Sequence, residues 1–429
     1  VAAEERKGWG QNSVPLDLEL DEAAIERMVV DLGMIGRSAD TGVWRTAYST
    51  EWVEANRLLG RWFAERGLDV RQDAVGNLWG RAEGRIPGRR AVVSGSHVDT
   101  QCPGGRYDGA LGIIAALVAV DALLRRYGPP HRPLEVVSLC EEEGSRFPTA
   151  GFWGSRALTG RIAPGDVDRV VDRDGLPIGE AMRAVGLDPA LVASARRDDL
   201  EAFVELHIEQ GPILEHADVP VGIVTGITGI RHTEVTLSGE QNHAGAFPMD
   251  LRRDPMQGFV EIAARVVDHA HRLGRPAVTT VGRCVVFPNL SAVVPGEVSF
   301  TIDSRHPDQA AADAMHRVHQ DIVAEVASRR GLRSEARILL DHKATPCSAK
   351  ISGAMLSAAV QERIPIMHLA SGAGHDSQQM AALCPVGMVF VRSRDGRSHT
   401  PEEFSSVQDM VAGIRVLAGA LRQLAYEDA

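Results

Sequence analysis

Short apolar segments alternate along this chain with helix-length amphipathic ones, and that alternation admits few folds. Residues 91–95, 134–140 and 203–207 read as buried strands, and 109–126 reads as a largely apolar helix. Two helices precede them, at about 21–32 and 50–66, with Ser49 as a cap candidate for the second. Strand alternating with helix predicts an α/β fold, a mainly parallel sheet with helices on both faces.

The texture changes near 222–229. Beyond it come a strand at 233–238, a helix at 254–273, and strands at 278–286 and 297–304. A helix at 308–330 and a strand at 332–340 follow. Two helices with four strands make a compact α+β insert. The first pattern then resumes, with helices near 352–362 and 376–382, a strand at 388–392 and a closing helix at 405–423. The expected division is a discontinuous catalytic domain, 1–226 and 345–429, around an inserted domain, 227–344. A chain of 429 residues suits two domains, because single cores rarely grow past roughly 250–300 residues.

Charge and composition narrow the function. A formal net charge of −11 disfavours a nucleic-acid partner, which needs a basic face to neutralise phosphates. No apolar run approaches the roughly 20 residues that span a bilayer. Residues 1–17 are largely polar and carry no signal-peptide core. Five scattered cysteines without a CxxC pair suit reduced thiols better than a disulfide framework. The expectation is a cytoplasmic protein acting on a small molecule, with no membrane partner.

In open α/β sheets, ligands bind beyond the carboxyl ends of the strands. Here the strand at 91–95 runs into His97 and Asp99, the strand at 134–140 into Glu141, Glu142 and Glu143, and the strand at 203–207 ends on His207. The strand at 388–392 is followed after a loop by His399. Asp108 sits in the turn that begins the apolar helix. Three histidines and several carboxylates from separate segments suit a pair of divalent cations, Zn2+ or Mn2+, Co2+ or Ni2+. A bridging carboxylate such as Asp108 could hold both. Asp99 is placed to accept the second imidazole N–H of His97 and orient the ring. Three successive carboxylates after a buried strand repel one another, and a cation relieves that repulsion. Gly104-Gly105 and Gly109 fit neither phosphate-loop pattern, and read instead as freedom for a sharp turn that aims Asp108. No GxSxG elbow is present, which disfavours a serine hydrolase.

Several ordered motifs carry a family resemblance. They are Gly95-Ser96-His97-Val98-Asp99-Thr100, Gly104-Gly105-Arg106-Tyr107-Asp108-Gly109, Glu141-Glu142-Glu143-Gly144-Ser145-Arg146-Phe147 and Leu206-His207-Ile208-Glu209-Gln210-Gly211-Pro212. Arg45-Thr46, Asp73-Ala74-Val75-Gly76-Asn77-Leu78, Gln241-Asn242-His243-Ala244-Gly245, Ser371-Gly372-Ala373-Gly374-His375-Asp376 and Ser398-His399 add to them. Together they resemble the hydantoinase/carbamoylase branch of the M20 metallopeptidase-like amidohydrolases. That branch contains N-carbamoyl-L-amino acid hydrolases, β-ureidopropionases and allantoate amidohydrolases.

The resemblance implies that His97, Asp108 and His207 hold one ion, and Asp108, Glu143 and His399 the other. It makes Glu142 the general base acting on a metal-bridged hydroxide, with Asp99 and His243 as further catalytic groups. Gln210, His243, Arg305 and His375 are implied to hold substrate, and the insert to serve as a lid that forms a homodimer. One departure stands out: Ala292 occupies the position of the family's substrate-binding asparagine, and Asn289 is the nearest amide that could replace it. The implied activity is hydrolysis of a linear amide or ureido C–N bond in a small carboxylate-bearing substrate, an N-carbamoyl-L-amino acid or a relative. The alternatives are an allantoate-type enzyme, an N-acyl amino acid deacylase or dipeptidase, and, remotely, an inactive metal-binding protein.

Overall fold

The computed structural model describes residues 15–427, so most of the polar segment 1–17 lies outside the described residues. The chain divides into two compact units. The first comprises residues up to Thr225, Cys347–Leu369 and those from His375 onward; the second comprises Gly226–Pro346 and Ala370–Gly374.

In the first unit the strands lie in the order Val221–Ile227, Val386–Val391, Leu200–Ile208, Ala91–His97, Leu134–Leu139, Leu78–Ala82, Asp69–Gln72. The four in the middle, from Val386–Val391 to Leu134–Leu139, are mutually parallel. On either side the pairing turns antiparallel, so the sheet is mixed rather than mainly parallel. Two of the antiparallel strands, Asp69–Gln72 and Leu78–Ala82, escaped the sequence reading because they are short or half-polar. Asp69–Gln72 is mostly exposed, and Leu78–Ala82 carries a glycine and an arginine.

Parallel pairing explains the continuous apolar runs, since such strands are covered on both faces. Alternate side chains of one strand enter different apolar clusters: Val92, Val136 and Val204 join one, and Val93, Val137 and Phe203 the other. The first cluster includes the helices Ala110–Tyr127 and Val407–Tyr426. Parallel direction also has a functional consequence. His97 lies beside Leu139 in register, and His207 beside Phe390, so their carboxyl ends share one edge of the sheet.

Arg45 ties this edge to the first helix, Glu22–Met34. Its buried guanidinium donates to the carbonyls of Val98 (2.6 Å), Leu32 (2.9 Å) and Ile35 (3.0 Å). Arg45→Ala would strand the Val98 and Ile35 carbonyls, each costing about 1–3 kcal/mol, while the Leu32 carbonyl keeps the Ile35 N–H. Urea unfolding is expected to show a loss of roughly 3–5 kcal/mol, within the range of severe core mutations. The Asp73–Asn77 turn is scaffolding of the same kind: Asp73 accepts from the Asn77 amide and the Trp79 indole, and Asn77 accepts from the Cys140 N–H.

The second unit is a four-stranded antiparallel sheet, ordered Val278–Phe287, Glu297–His306, Gly229–Ser238, Arg333–His342, with two helices, Pro255–Leu273 and Gln309–Arg329. Asp254 and Asp308 cap those helices by accepting the N–H groups of Met256 and Ala311. Its core joins Val235, Leu237, Val298 and Phe300 to Ile262, Val266, Ile322 and Val326.

Candidate metal centre

The strand-end residues converge. His97 Nε2 lies 3.6 Å from Asp108 Oδ1, and His207 Nε2 lies 3.1 Å from the same oxygen. The other oxygen of Asp108 is 3.4 Å from His399 Nε2, which is itself 3.4 Å from Glu143 Oε2. Among the described residues, His97, Asp108 and His207 form one group able to hold a metal ion, and Asp108, Glu143 and His399 form another. They share Asp108. Glu142 stands next to them, its Oε2 3.6 Å from His97 Nε2.

Local backbone conformation produces this arrangement. Gly109 has φ +63°, and a Cβ there would stand 2.4 Å from the His97 ring, so only glycine lets the turn reach the histidine. The non-glycine residues Glu141, Gln210 and His399 also hold positive φ. Strain of this kind clusters where side chains must be aimed at a site. Gly104 and Gly105 do not have positive φ, which corrects the reading of them as turn-formers.

Imidazole nitrogens and carboxylate oxygens are a suitable donor set for zinc, manganese, cobalt or nickel, and the electrostatics fit bound cations. Burial, then Glu143, Asp376, Asp99 and Asp108, push the Glu142 carboxyl well above the ordinary range. Burial and Asp108 do the same to Glu143, whose Oε1 is buried without a hydrogen-bond partner. Burial and Asp99 raise Glu141 to about 8. Asp108 moves the other way. Burial would raise it, but the hydrogen bond and charge of His207, with His97 and His399, hold it well below the usual range. Burial lowers His207, and Asp108 overrides that and lifts it to about 9. Positive charge at this point would relieve the crowded carboxylates. The side chains of Asp108, Glu143 and Glu142 are 5%, 6% and 9% exposed against 49% for His399, so the pair is open to solvent on the His399 side.

Several expectations need correction. His97 Nδ1 bonds the backbone carbonyl of Asp99 at 3.0 Å, whereas the Asp99 carboxylate is 4.0 Å away and accepts from the Glu143 N–H. Asp99 thus orients His97 through its main chain and the Glu143 loop through its side chain. Gln210 spends its amide N–H groups on Asp108 (2.9 Å) and Ser398 (3.2 Å), leaving only its carbonyl oxygen for a substrate. His375 is 1% exposed and stacks edge-on against His207, so its ring is enclosed beside that histidine.

Sequence reasoning missed Gln101, which donates to Glu143 at 2.9 Å, and Ser398, which donates to Asp108 at 2.7 Å. It also missed Glu205, a fully buried carboxylate that accepts from Ser96 and Ser377 and joins His207 and His375 in a third group able to hold a metal. An acid inside the apolar run Phe203-Val204-Glu205-Leu206 was the available sign.

Three proposed substrate residues and Ala292 belong to the second unit. His243 pairs with Val293 in a short two-stranded ladder, and the Ala244 N–H donates to the Ala292 carbonyl. His243 Nδ1 accepts from the N–H groups of Gly245 and Ala246, both at 3.1 Å, so Nε2 carries the proton of the neutral ring and presents a donor. Arg305 is gripped by Asp303 and donates to the Gly372 carbonyl. Asn289 is exposed, with φ +57°.

Residues 93–423 match the family model for peptidase family M20/M25/M40. The chain is 39% identical to an allantoate amidohydrolase of Escherichia coli (strain K12) over 405 residues, covering 94% of this chain and 98% of that protein. It is 39% identical to an N-carbamoyl-L-amino acid amidohydrolase of Geobacillus stearothermophilus over 399 residues, covering 92% and 97%. A crystal structure of a hydantoinase/carbamoylase family amidase from Burkholderia multivorans superposes with a TM-score of 0.88 at 34% identity, covering 96% of this chain and all of that one. With its strand-end histidines and carboxylates in place, and full-length relatives that are amidohydrolases, the chain belongs to peptidase family M20/M25/M40.

Proposed function

We propose that this protein hydrolyses a linear C–N bond, amide or ureido, in a small carboxylate-bearing substrate, an N-carbamoyl-L-amino acid or an allantoate-type ureido acid. The observation that carries this reading is the Glu142 carboxylate standing beside two ligand groups that share Asp108. His97, Asp108 and His207 would hold one divalent ion, and Asp108, Glu143 and His399 a second. Ions at such positions acidify water and polarise a carbonyl.

Glu142 would take a proton from the attacking water and return it to the leaving nitrogen, acting as base and then as acid. Asp108 and the three histidines would keep the reacting groups aligned. The Nε2–H of His243 is suited to donate to the developing oxyanion. The planar fork of Arg305 suits a substrate carboxylate, and Asp303 holds it at a fixed angle. Cleavage of a ureido group would yield ammonia, carbon dioxide and an amine; cleavage of an amide would yield an acid and an amine. A dimer formed through 227–344 and a cytoplasmic location belong to the same reading. No helix among the described residues is long and apolar enough to cross a membrane.

A substrate panel tests the proposal. Protein loaded with Mn2+ or Co2+ is offered N-carbamoyl-L-amino acids, allantoate, N-acyl amino acids and dipeptides, with ammonia and free amine both measured. Turnover of a ureido or acyl amino acid is expected. Cleavage of dipeptides alone, or of nothing on the panel by folded, metal-loaded protein, would contradict it.

A further inference from the structure

We propose that Glu403 is a positioning residue for the metal ligands, clamping the turn that carries Asp108 from the same chain segment that supplies His399. The inference rests on the two-ion reading above and extends it to a residue that bears no metal.

Oxygen Oε2 of Glu403 accepts two consecutive backbone N–H groups, from Tyr107 at 2.8 Å and Asp108 at 3.0 Å. Two donors converging on one carboxylate oxygen fix both peptide planes, and with them the direction in which Asp108 leaves the main chain. Ser398, at the start of the same segment, donates its hydroxyl to Asp108 Oδ2 at 2.7 Å. The segment therefore holds Asp108 by backbone and by side chain while presenting His399 3.4 Å from the same carboxylate. Glu403 is 4% exposed, so this geometry is not shared with solvent.

Gly105 makes the clamp possible. A Cβ on it would lie 2.2 Å from Glu403 Oε2 and 2.5 Å from Glu403 Cβ. Any side chain at 105 must expel the Glu403 carboxylate from the turn. The glycine pair is thus used for room rather than for left-handed backbone. Asp108 is common to both ligand groups, so loosening its turn should weaken both ions together.

The test strips the protein with a chelator and titrates Co2+ alone into wild type, Glu403→Ala, Glu403→Gln and Gly105→Ala. Equilibrium dialysis gives the number of ions bound and the visible cobalt spectrum gives their geometry. Wild type should take two ions. Glu403→Ala should weaken both by about 10–100-fold, the cost of losing an outer-shell partner. Glu403→Gln should recover near wild-type binding and spectrum, because its amide oxygen still accepts the two N–H groups. Gly105→Ala should copy Glu403→Ala, and carries the test if that variant fails to fold. Wild-type affinity in both Glu403→Ala and Gly105→Ala, or a Glu403→Gln as defective as Glu403→Ala, would overturn the proposal. Wild type that binds no cobalt would overturn the two-ion reading itself, and this inference with it.

Discussion

Glu142→Gln is expected to keep two divalent ions per chain and to lose turnover by about 10²–10⁴-fold, the span contributed by general acid–base catalysis. Glutamine has the shape of glutamate but no basic oxygen able to take a proton from water. Glu142 is not among the groups that could hold a metal, and its neighbour Glu143 is. The substitution therefore separates proton transfer from binding. It also replaces a carboxyl whose charged form burial and the crowding by Glu143, Asp376, Asp99 and Asp108 already disfavour with a neutral amide. The metal-free variant should then melt no lower than wild type. Substantial activity in Glu142→Gln would assign the base to another residue. Lost metal would instead make Glu142 a ligand. Elemental analysis beside steady-state kinetics distinguishes the two outcomes.

Asp108→Ala should remove the ions themselves. One carboxylate serves His97 and His207 through Oδ1, and His399, Ser398 and Gln210 through Oδ2. Losing it takes a ligand from each group at once, so affinity should fall by more than the roughly 10–100-fold typical of outer-shell changes. Activity should disappear with the metal. The metal-free protein should suffer too, and the sign follows from the carboxyl's depressed pKa. A carboxyl held below its unfolded value stabilises the fold above the ordinary carboxylate range and loses that contribution as pH falls. The stability difference between wild type and Asp108→Ala should therefore be largest near neutrality and shrink on acidification, as thermal melts at several pH values would show.

The histidines and carboxylates that converge at the sheet edge were legible because two rules act locally. Parallel strands buried on both faces are written as apolar runs, and the residue at the carboxyl end of such a run faces the crevice. His97 and His207 stand at such ends, and Glu141, Glu142 and Glu143 follow another; the family resemblance, not the rule, singled out Glu143 among the three. The helices of the second unit were legible, and their ends fell within a residue or so of those expected. What escaped depends on distant partners. The antiparallel strand Leu78–Ala82 is defined by its pairing with Leu134–Leu139 rather than by its own pattern. Gln101, Glu205, Ser398 and Glu403 are ordinary polar residues until the fold sets them against ligands. Asp99 was assigned a carboxylate bond to His97, but its carbonyl makes that bond, and side-chain type cannot distinguish the two.

The most direct test is anomalous diffraction from crystals of the active, metal-loaded protein, collected at the absorption edge of the metal. The account predicts two peaks about 3.5–4 Å apart, one touching His97, Asp108 and His207 and the other touching Asp108, Glu143 and His399. A single peak at Glu205, His207 and His375, or an active crystal with no peak beside Asp108, would contradict it.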